Sequence, residues 1–187
     1  MVRVVIYIIL AAAVGLSAGC GKSDDSTVRL ADKTISSEGS GNMNATKAND
    51  KEMAIIKKVI EDSIGWALTK DKERLYSVML QDSSLFFYNP DNAGTIRGFE
   101  AFRQLVENVF MNDAFKATSY EVKDLRINIS QGGDVAWWAC VLDDFGEWDG
   151  RPTAWKDVRW TGVTEKRNGK WVIVQMHFSY PTEAMKS

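Results

Sequence analysis

The chain has 187 residues, of which 45% are hydrophobic and 26% are charged, a composition that predicts one globular domain. Its formal net charge of −2 provides no basic surface for a polyanion, so the sequence predicts no nucleic-acid partner. One histidine and two cysteines leave few side chains for a metal site or for nucleophilic catalysis.

The N-terminus predicts export and a lipid anchor. Arg3 precedes an uncharged apolar run at residues 4–16, shorter than the ~20 residues that span a membrane and typical of a secretory signal peptide. The run leads into Leu16-Ser17-Ala18-Gly19-Cys20, which resembles the lipobox of bacterial lipoproteins. The resemblance implies a signal peptide at residues 1–19 and a lipidated Cys20. The alternative is a plain signal peptide with an incidental cysteine.

The lipobox resemblance also implies an address in the cell envelope. Because Gly21 replaces the Asp that commonly signals inner-membrane retention, a Gram-negative source would place the protein in the outer membrane. A Gram-positive source would place it on the outer face of the plasma membrane. Residues 20–49 are rich in Ser, Gly, Asp, Asn and Lys and contain no aromatic residue, which predicts a flexible tether.

The folded domain is predicted over residues 50–183, with helices at its start. Apolar residues recur at helical spacing over residues 53–68, in a shorter segment at 72–80, and again over 99–110. Between the last two segments, Phe86-Phe87-Tyr88 suits a strand that ends in a turn.

After residue 114 the pattern predicts long strands. The strand at residues 115–130 is expected to be irregular near Asp124, and residues 146–152 are predicted to form a loop. Asn168-Gly169 is a strong signal for a tight hairpin between the last two strands. Helices followed by antiparallel strands predict an α+β fold.

The order of these elements and the final hairpin resemble the nuclear transport factor two-like superfamily, most of all its SnoaL-like and calcium/calmodulin-dependent kinase II association-domain branches. The hairpin residues that match are Arg159, Thr161, Val163, Asn168, Gly169, Lys170, Trp171, His177 and Ser179. The resemblance implies a cone-shaped, strongly curved antiparallel sheet wrapped around N-terminal helices, with a pocket at its open end and a homodimer through its convex face. Function stays open, because the superfamily includes isomerases, dehydratases, cyclases, oligomerisation modules and binding proteins.

The single histidine, His177, has two interpretations. An unbroken hairpin closed by Asn168-Gly169 would place Trp160 opposite His177 and Arg159 opposite Phe178. The face that carries Arg159 and Phe178 is the more apolar, so we expect it to meet the helices and leave His177 on the convex side against Trp160. A bulge in this hairpin would reverse the assignment and make His177 a pocket acid or base.

Two adjacent carboxylates are the other candidates for chemistry. Asp143 and Asp144 end the strand that begins at Val135, and strand alternation directs them to opposite faces. One of them should therefore face the cone near its rim, where apolar walls raise a carboxyl pKa. If the domain is an enzyme, Asp143, Asp144 and His177 are its predicted acid/base residues. The alternative is that both aspartates belong to a solvated turn.

Aromatic side chains and one arginine are candidates for ligand binding. Tyr88, Trp138 and Trp160 would favour an apolar or aromatic molecule if they line the cone. The association-domain resemblance implies that Arg159 pairs with a carboxylate ligand. Filling of the core by the rings, and a surface or interface position for the arginine, are the alternatives. Cys140 is expected to be a buried small hydrophobe, and no metal or cofactor is predicted.

The leading hypothesis is a lipid-anchored envelope protein whose SnoaL-like domain binds a small, partly apolar molecule or serves as a dimeric interaction module. The alternative is a cofactor-free acid/base enzyme of the isomerase, dehydratase or cyclase type. A purely structural lipoprotein is the third hypothesis.

Overall fold

The structure is a computed structural model that describes residues 41–90 and 94–181, with side chains described from Asn49 onward. The predicted signal peptide and Cys20 lie outside the described residues, as does the first part of the predicted tether. The helical elements are α1 (Gly41–Gly65), a 3₁₀ turn (Trp66–Leu68), α2 (Lys72–Ser77), α3 (Phe99–Leu105) and a π-helical turn (Val106–Phe110). Helix α1 begins at Gly41 rather than near Asp50, so the prediction of a flexible tether is wrong for residues 41–49, which are helical.

Six strands form one sheet. They are β1 (Phe86–Tyr88), β2 (Ile96–Arg97), β3 (Phe115–Ile129), β4 (Val135–Trp148), β5 (Arg151–Arg167) and β6 (Lys170–Ser179). Their order across the sheet is β2-β1-β6-β5-β4-β3. The predicted α+β class with a curved sheet and N-terminal helices is confirmed, but the sheet is mixed rather than antiparallel, because β1 runs parallel to β6.

The two faces of this sheet differ. The inner face, defined here as the face that packs against the helices, contributes fully buried side chains to one apolar core with Ile56 and Ile60 of α1. Its buried members on the long strands are Ala136, Trp138, Cys140, Leu142, Val158, Trp160, Trp171, Ile173, Met176 and Phe178. The outer face exposes half of Trp137 (50%) and of Tyr88 (48%).

A bulge in the last hairpin sets which residues share a face. Val163 pairs with Gln175 but Thr164 pairs with Ile173, so Val174 is an extra residue in β6. Beyond the bulge, Trp160 lies opposite Phe178 and Thr161 opposite His177. The predicted pairing of Trp160 with His177 is therefore wrong by one residue. The expectation that Arg159 shares the inner face with Phe178 is also wrong, because Trp160 takes that position, and the bulge does not bring His177 inward.

The turns follow local sequence closely. Asn168 and Gly169 both have positive φ (51° and 78°), as a tight I′ hairpin turn requires. The predicted irregularity near Asp124 is confirmed by a register shift between Lys123 and Arg126. The predicted loop at residues 146–152 is mostly strand, because β4 and β5 continue to a two-residue turn at Asp149-Gly150.

Two glycines allow close approach, Gly65 between α1 and the sheet and Gly162 between neighbouring strands. A Cβ on Gly65 of α1 would lie 2.6 Å from the Tyr120 hydroxyl oxygen, so the absence of a side chain at Gly65 lets Tyr120 of β3 pack directly against the helix. A Cβ on Gly162 would lie 2.5 Å from the indole ring of Trp138 and 2.7 Å from a backbone carbonyl oxygen. Among the described residues, no helix has the length and apolarity needed to cross a bilayer.

Candidate functional site

The site is built around Asp144, which lies on the inner face near the β4–β5 turn. Asp144 pairs with Tyr120 of β3 on one side and with Trp155 of β5 on the other. Residues directly opposite each other on antiparallel strands share a face. We call these three half-buried residues, Tyr120, Asp144 and Trp155, the carboxylate row.

Packing confirms that the carboxylate row faces inward. Trp155 packs against the buried ring of Phe178 at a centroid distance of 5.3 Å, and Phe178 stacks on Trp160 at 5.4 Å. Tyr120 approaches Gly65 of α1 from the other flank. The carboxyl group of Asp144 therefore lies between two aromatic side chains at the edge of the core.

Burial governs the electrostatics of Asp144. Desolvation raises the pKa of its carboxyl group from 3.8 to about 6, because the charged form loses hydration next to apolar rings. Among the described residues, none donates a hydrogen bond or a salt bridge to this carboxylate, and no neighbouring charge contributes to the shift. A carboxyl group poised near neutral pH can anchor a ligand or transfer a proton.

Asp143, the preceding residue, has the opposite environment. Its Oδ1 accepts a 2.7 Å hydrogen bond from the Asp157 backbone N–H, and its Oδ2 lies 2.9 Å from Lys123 Nζ. Both contacts lower the pKa of Asp143, with the backbone hydrogen bond as the larger cause. Lys123 also contacts Asp157 Oδ1 at 2.7 Å. Both carboxylate oxygens of Asp143 are thus paired on the outer face, one with the Asp157 backbone N–H and the other with Lys123.

The contacts that Asp143 and Lys123 make with Asp157 hold a β-bulge in β5, and this bulge orients the carboxylate row. Leu142 pairs with Val158 but Asp144 pairs with Trp155, so β5 has one more residue than β4 across this step. Asp157, in the bulge, has a left-handed backbone (φ 55°) that asparagine and aspartate tolerate better than most residues. The bulge turns Trp155 to the same side as Val158, which brings its ring beside Asp144.

His177 and Tyr88 lie together on the outer face. They are paired residues of β6 and β1, and their rings meet edge to face at a centroid distance of 5.9 Å. The structure therefore separates both residues from the inner face that holds Asp144. The convex position expected for His177 is observed, although its pairing partner is Thr161 and not Trp160.

The remaining candidate ligand residues divide between the core and the surface. Trp138 and Trp160 are 2% and 0% exposed and pack edge to face at 4.6 Å, so both rings fill the deep part of the inner face. Their Nε1 donors have no partner among the described residues. Arg159 is exposed on the outer face, opposite Val141 and Ser179, so the structure does not bring it to the carboxylate row.

A cleft of about 380 Å³ opens at the other end of β6, near the Asn168-Gly169 turn. Its lining comprises Ser77, Met79, Leu80, Gln81, Arg167, Asn168, Lys170 and Val172. The cleft contains no member of the carboxylate row, and Arg167 at its rim is paired with Glu165. We place the candidate site at Asp144, where a carboxyl group with a raised pKa meets aromatic walls.

Other reactive groups do not join this site. Cys140 is buried, and desolvation raises the pKa of its thiol to about 12, which keeps it protonated and inert. The described part of the chain contains no group of three His, Cys, Asp or Glu side chains that could hold a metal ion.

The curved mixed sheet with helices on its inner face is the architecture of a nuclear transport factor two-like domain. The family model of the SnoaL-like domain matches residues 56–183, so the chain belongs to the SnoaL-like family. This match lies within the domain predicted over residues 50–183. No functionally curated protein matches the chain.

Solved structures with the same fold come from proteins with different roles. The association domain of Caenorhabditis elegans CaMKII is 22% identical with a TM-score of 0.52, covering 73% of this chain and 99% of that one. A hexachlorocyclohexane dehydrochlorinase of Novosphingobium barchaimii is 19% identical with a TM-score of 0.54, covering 75% and 92%. A candidate scytalone dehydratase of Novosphingobium aromaticivorans is 16% identical with a TM-score of 0.60, covering 71% and 86%. At these identities the likeness establishes the fold.

Sequence reasoning missed two of the three residues in the carboxylate row. Tyr120 and Trp155 are ordinary strand residues in the sequence, and only the register of three strands brings them beside Asp144. A signal for the bulge was present, because Asp157 interrupts the alternation of Trp155, Val158 and Trp160. No feature of the sequence predicted the salt bridge between Lys123 and Asp143 on the outer face.

Proposed function

We propose that this SnoaL-like domain binds a small, largely apolar molecule against the carboxylate row, with Asp144 as the polar anchor. The observation that supports the proposal is a carboxyl group that has no partner in the described part of the chain and that lies between two aromatic side chains on the inner face. Binding sites for small molecules combine apolar walls with a few polar groups of this kind. Because Trp138 and Trp160 fill the deeper inner face, the ligand lies near the β4–β5 turn.

Native mass spectrometry of the purified protein tests binding directly. We expect a small molecule that co-purifies with the wild type and is lost in Asp144→Asn, which keeps the shape of the side chain but removes its charge. Glu121→Gln is the matched control, since Glu121 is exposed on the neighbouring strand and faces away from the row. Retention of the same molecule by Asp144→Asn would contradict a role for this anchor.

The raised pKa of Asp144 favours a second candidate function, a cofactor-free acid/base enzyme. A carboxylate whose pKa is about 6 is mostly ionised at pH 7 and is a stronger base than a solvated aspartate. Such a base could remove a proton from an apolar substrate, the first step of many eliminations and isomerisations. Asp143 and His177 do not join this candidate, because both lie on the outer face.

A probe of general-base catalysis separates the enzyme from the binding module. In 5-nitrobenzisoxazole, removal of the ring C–H proton breaks the N–O bond and releases a coloured cyanophenolate, without any cofactor. An enzyme should accelerate this reaction with a pH profile that rises through about pH 6, and Asp144→Asn should abolish the acceleration. A rate equal to that of acetate buffer would leave binding as the function.

We further propose that the protein is anchored in the cell envelope through a lipidated Cys20. The basis is the apolar run at residues 4–16 followed by Leu16-Ser17-Ala18-Gly19-Cys20. Stable anchoring needs more than one acyl chain, which the lipoprotein pathway supplies. Metabolic labelling with an alkyne palmitate should mark the wild type and not Cys20→Ala. Labelling that persists in Cys20→Ala would exclude this anchor.

Homodimer formation through the outer face is the remaining part of the proposal. Its support is the pair of large exposed rings, Trp137 and Tyr88, on the side of the sheet that the helices leave uncovered. Sedimentation velocity should show a dimer for the wild type and a monomer for Trp137→Glu. A wild-type monomer at micromolar concentration would contradict it.

A further inference from the structure

The carboxylate row combines a negative charge with aromatic walls, and this combination selects one class of ligand. Neighbouring strands lie about 4.8 Å apart, so Tyr120 and Trp155 flank Asp144 across about 10 Å. Phe178 extends the wall beyond Trp155. The face of an aromatic ring carries negative partial charge and attracts cations within about 6 Å of its centre.

Asp144 has no cation of its own among the described residues. Lys123 on β3 is committed to Asp143 and Asp157 on the outer face, where Arg159 of β5 is also exposed. On the helical side, five basic groups have partners elsewhere: Lys58 and Arg74 with Asp62, Lys72 with Glu107, Arg103 with Glu100, and Lys70 with the Asn112 carbonyl oxygen. A partly buried charge without a counterion is costly to the fold, and a bound cation would relieve it.

We infer that the carboxylate row takes an organic cation, a substituted ammonium group whose charge pairs with Asp144 while its carbon substituents contact Tyr120 and Trp155. This inference deepens the proposed binding function and rests on it. A neutral apolar molecule would leave the carboxylate unpaired, and an anionic ligand would be repelled by it. A quaternary ammonium can pair with the Asp144 carboxylate and also contact the aromatic faces, because its positive charge is distributed over its methyl groups.

The test compares two probes of the same shape, choline and 3,3-dimethylbutan-1-ol, in which a carbon replaces the nitrogen. The purified protein is titrated with each probe, and binding is followed by the NMR signal of the Trp155 indole N–H. At pH 7.5 choline should bind at least tenfold more tightly than the alcohol. The preference should shrink below pH 5, where Asp144 is protonated.

Substitutions in the carboxylate row test whether its residues cause the preference for choline over the alcohol. Asp144→Asn should reduce the choline preference to less than twofold, whereas Glu121→Gln, which removes one outward charge from β3, should preserve it. Trp155→Leu keeps an apolar side chain but loses the ring, and should weaken choline several-fold more than the alcohol.

Two results would overturn the inference. If the alcohol binds as tightly as choline and Asp144→Asn changes neither, the site accepts apolar molecules regardless of charge, and the proposed binding function survives without a cationic ligand. If neither probe binds, the cation inference fails, and the co-purification experiment decides separately whether the proposed function stands.

Discussion

Asp143 and Asp144 are neighbours in sequence but occupy opposite faces of the sheet and have opposite properties. On the outer face, a backbone hydrogen bond and Lys123 hold the pKa of Asp143 below its ordinary value. On the inner face, burial between aromatic side chains raises the pKa of Asp144 to about 6. Asp143 is itself only 7% exposed, so its bonding partners and not its exposure set it apart, whereas the adjacent tryptophans differ in exposure, with Trp137 half exposed and Trp138 buried. The side of the strand, more than the residue type, therefore decides what each side chain can do.

The largest expected difference between the faces concerns the adjacent tryptophans. Trp138→Ala should lower the free energy of unfolding by about 3–5 kcal/mol, the usual cost of truncating a buried ring. In the monomer, Trp137→Ala should change it by less than about 1 kcal/mol, since half of that side chain is exposed there. Urea denaturation at protein concentrations that keep the wild type monomeric measures both. A cost for Trp137 as large as that for Trp138 under these conditions would contradict the assignment of Trp137 to the outer face.

Replacement of Asp144 should stabilise the protein at neutral pH. A carboxyl group whose pKa is raised in the folded state destabilises it above that pKa and has no effect below the ordinary value of 3.8. With each pKa unit equivalent to about 1.4 kcal/mol, Asp144→Asn should gain up to about 3 kcal/mol at pH 8. The gain should fade to zero as the pH falls from 6 to below 4. Thermal unfolding over this pH range is the measurement.

The same substitution at Asp143 should have the opposite sign. Its lowered pKa stabilises the folded state above pH 3.8 and the effect is lost as the pH falls through the folded-state value. Asp143→Asn should lose about 1 kcal/mol at pH 7, since it removes the charge that pairs with Lys123 while the amide oxygen still accepts from the Asp157 N–H. Stabilisation by Asp143→Asn at pH 7 would show that the two environments are assigned to the wrong residues.

The smallest expected effect belongs to His177. Replacement by Gln removes an edge-to-face contact with Tyr88 on the outer face, which should lower stability by about 0.5 kcal/mol. Binding of small molecules at the carboxylate row should be unchanged, as ligand titrations of both proteins would measure. A large loss of binding by a folded His177→Gln variant would show that His177 contributes to the binding site.

Local sequence signals predicted the fold better than the site. Asn168-Gly169 predicted its turn because positive φ suits both residues, and the helix-then-strand order predicted the class. The extra residue at Val174 carries no such signal, and it alone moved Trp160 from opposite His177 to opposite Phe178. Face assignment depends on counting residues along paired strands, so one bulge reversed the expected faces of Trp160 and Arg159 on β5 while His177 on β6 kept its outward position.

The bulge at Asp157 has a consequence for how this site would change in descent. Regular pairing from Val158 without the bulge would place Lys156 opposite Asp144 and turn Trp155 to the outer face. A lysine would then stand beside the carboxylate in place of the ring. A deletion of Asp157 would instead keep Trp155 opposite Asp144, so relatives of this chain would keep or lose the aromatic wall according to the number of residues in the bulge, even where every residue of the carboxylate row is retained.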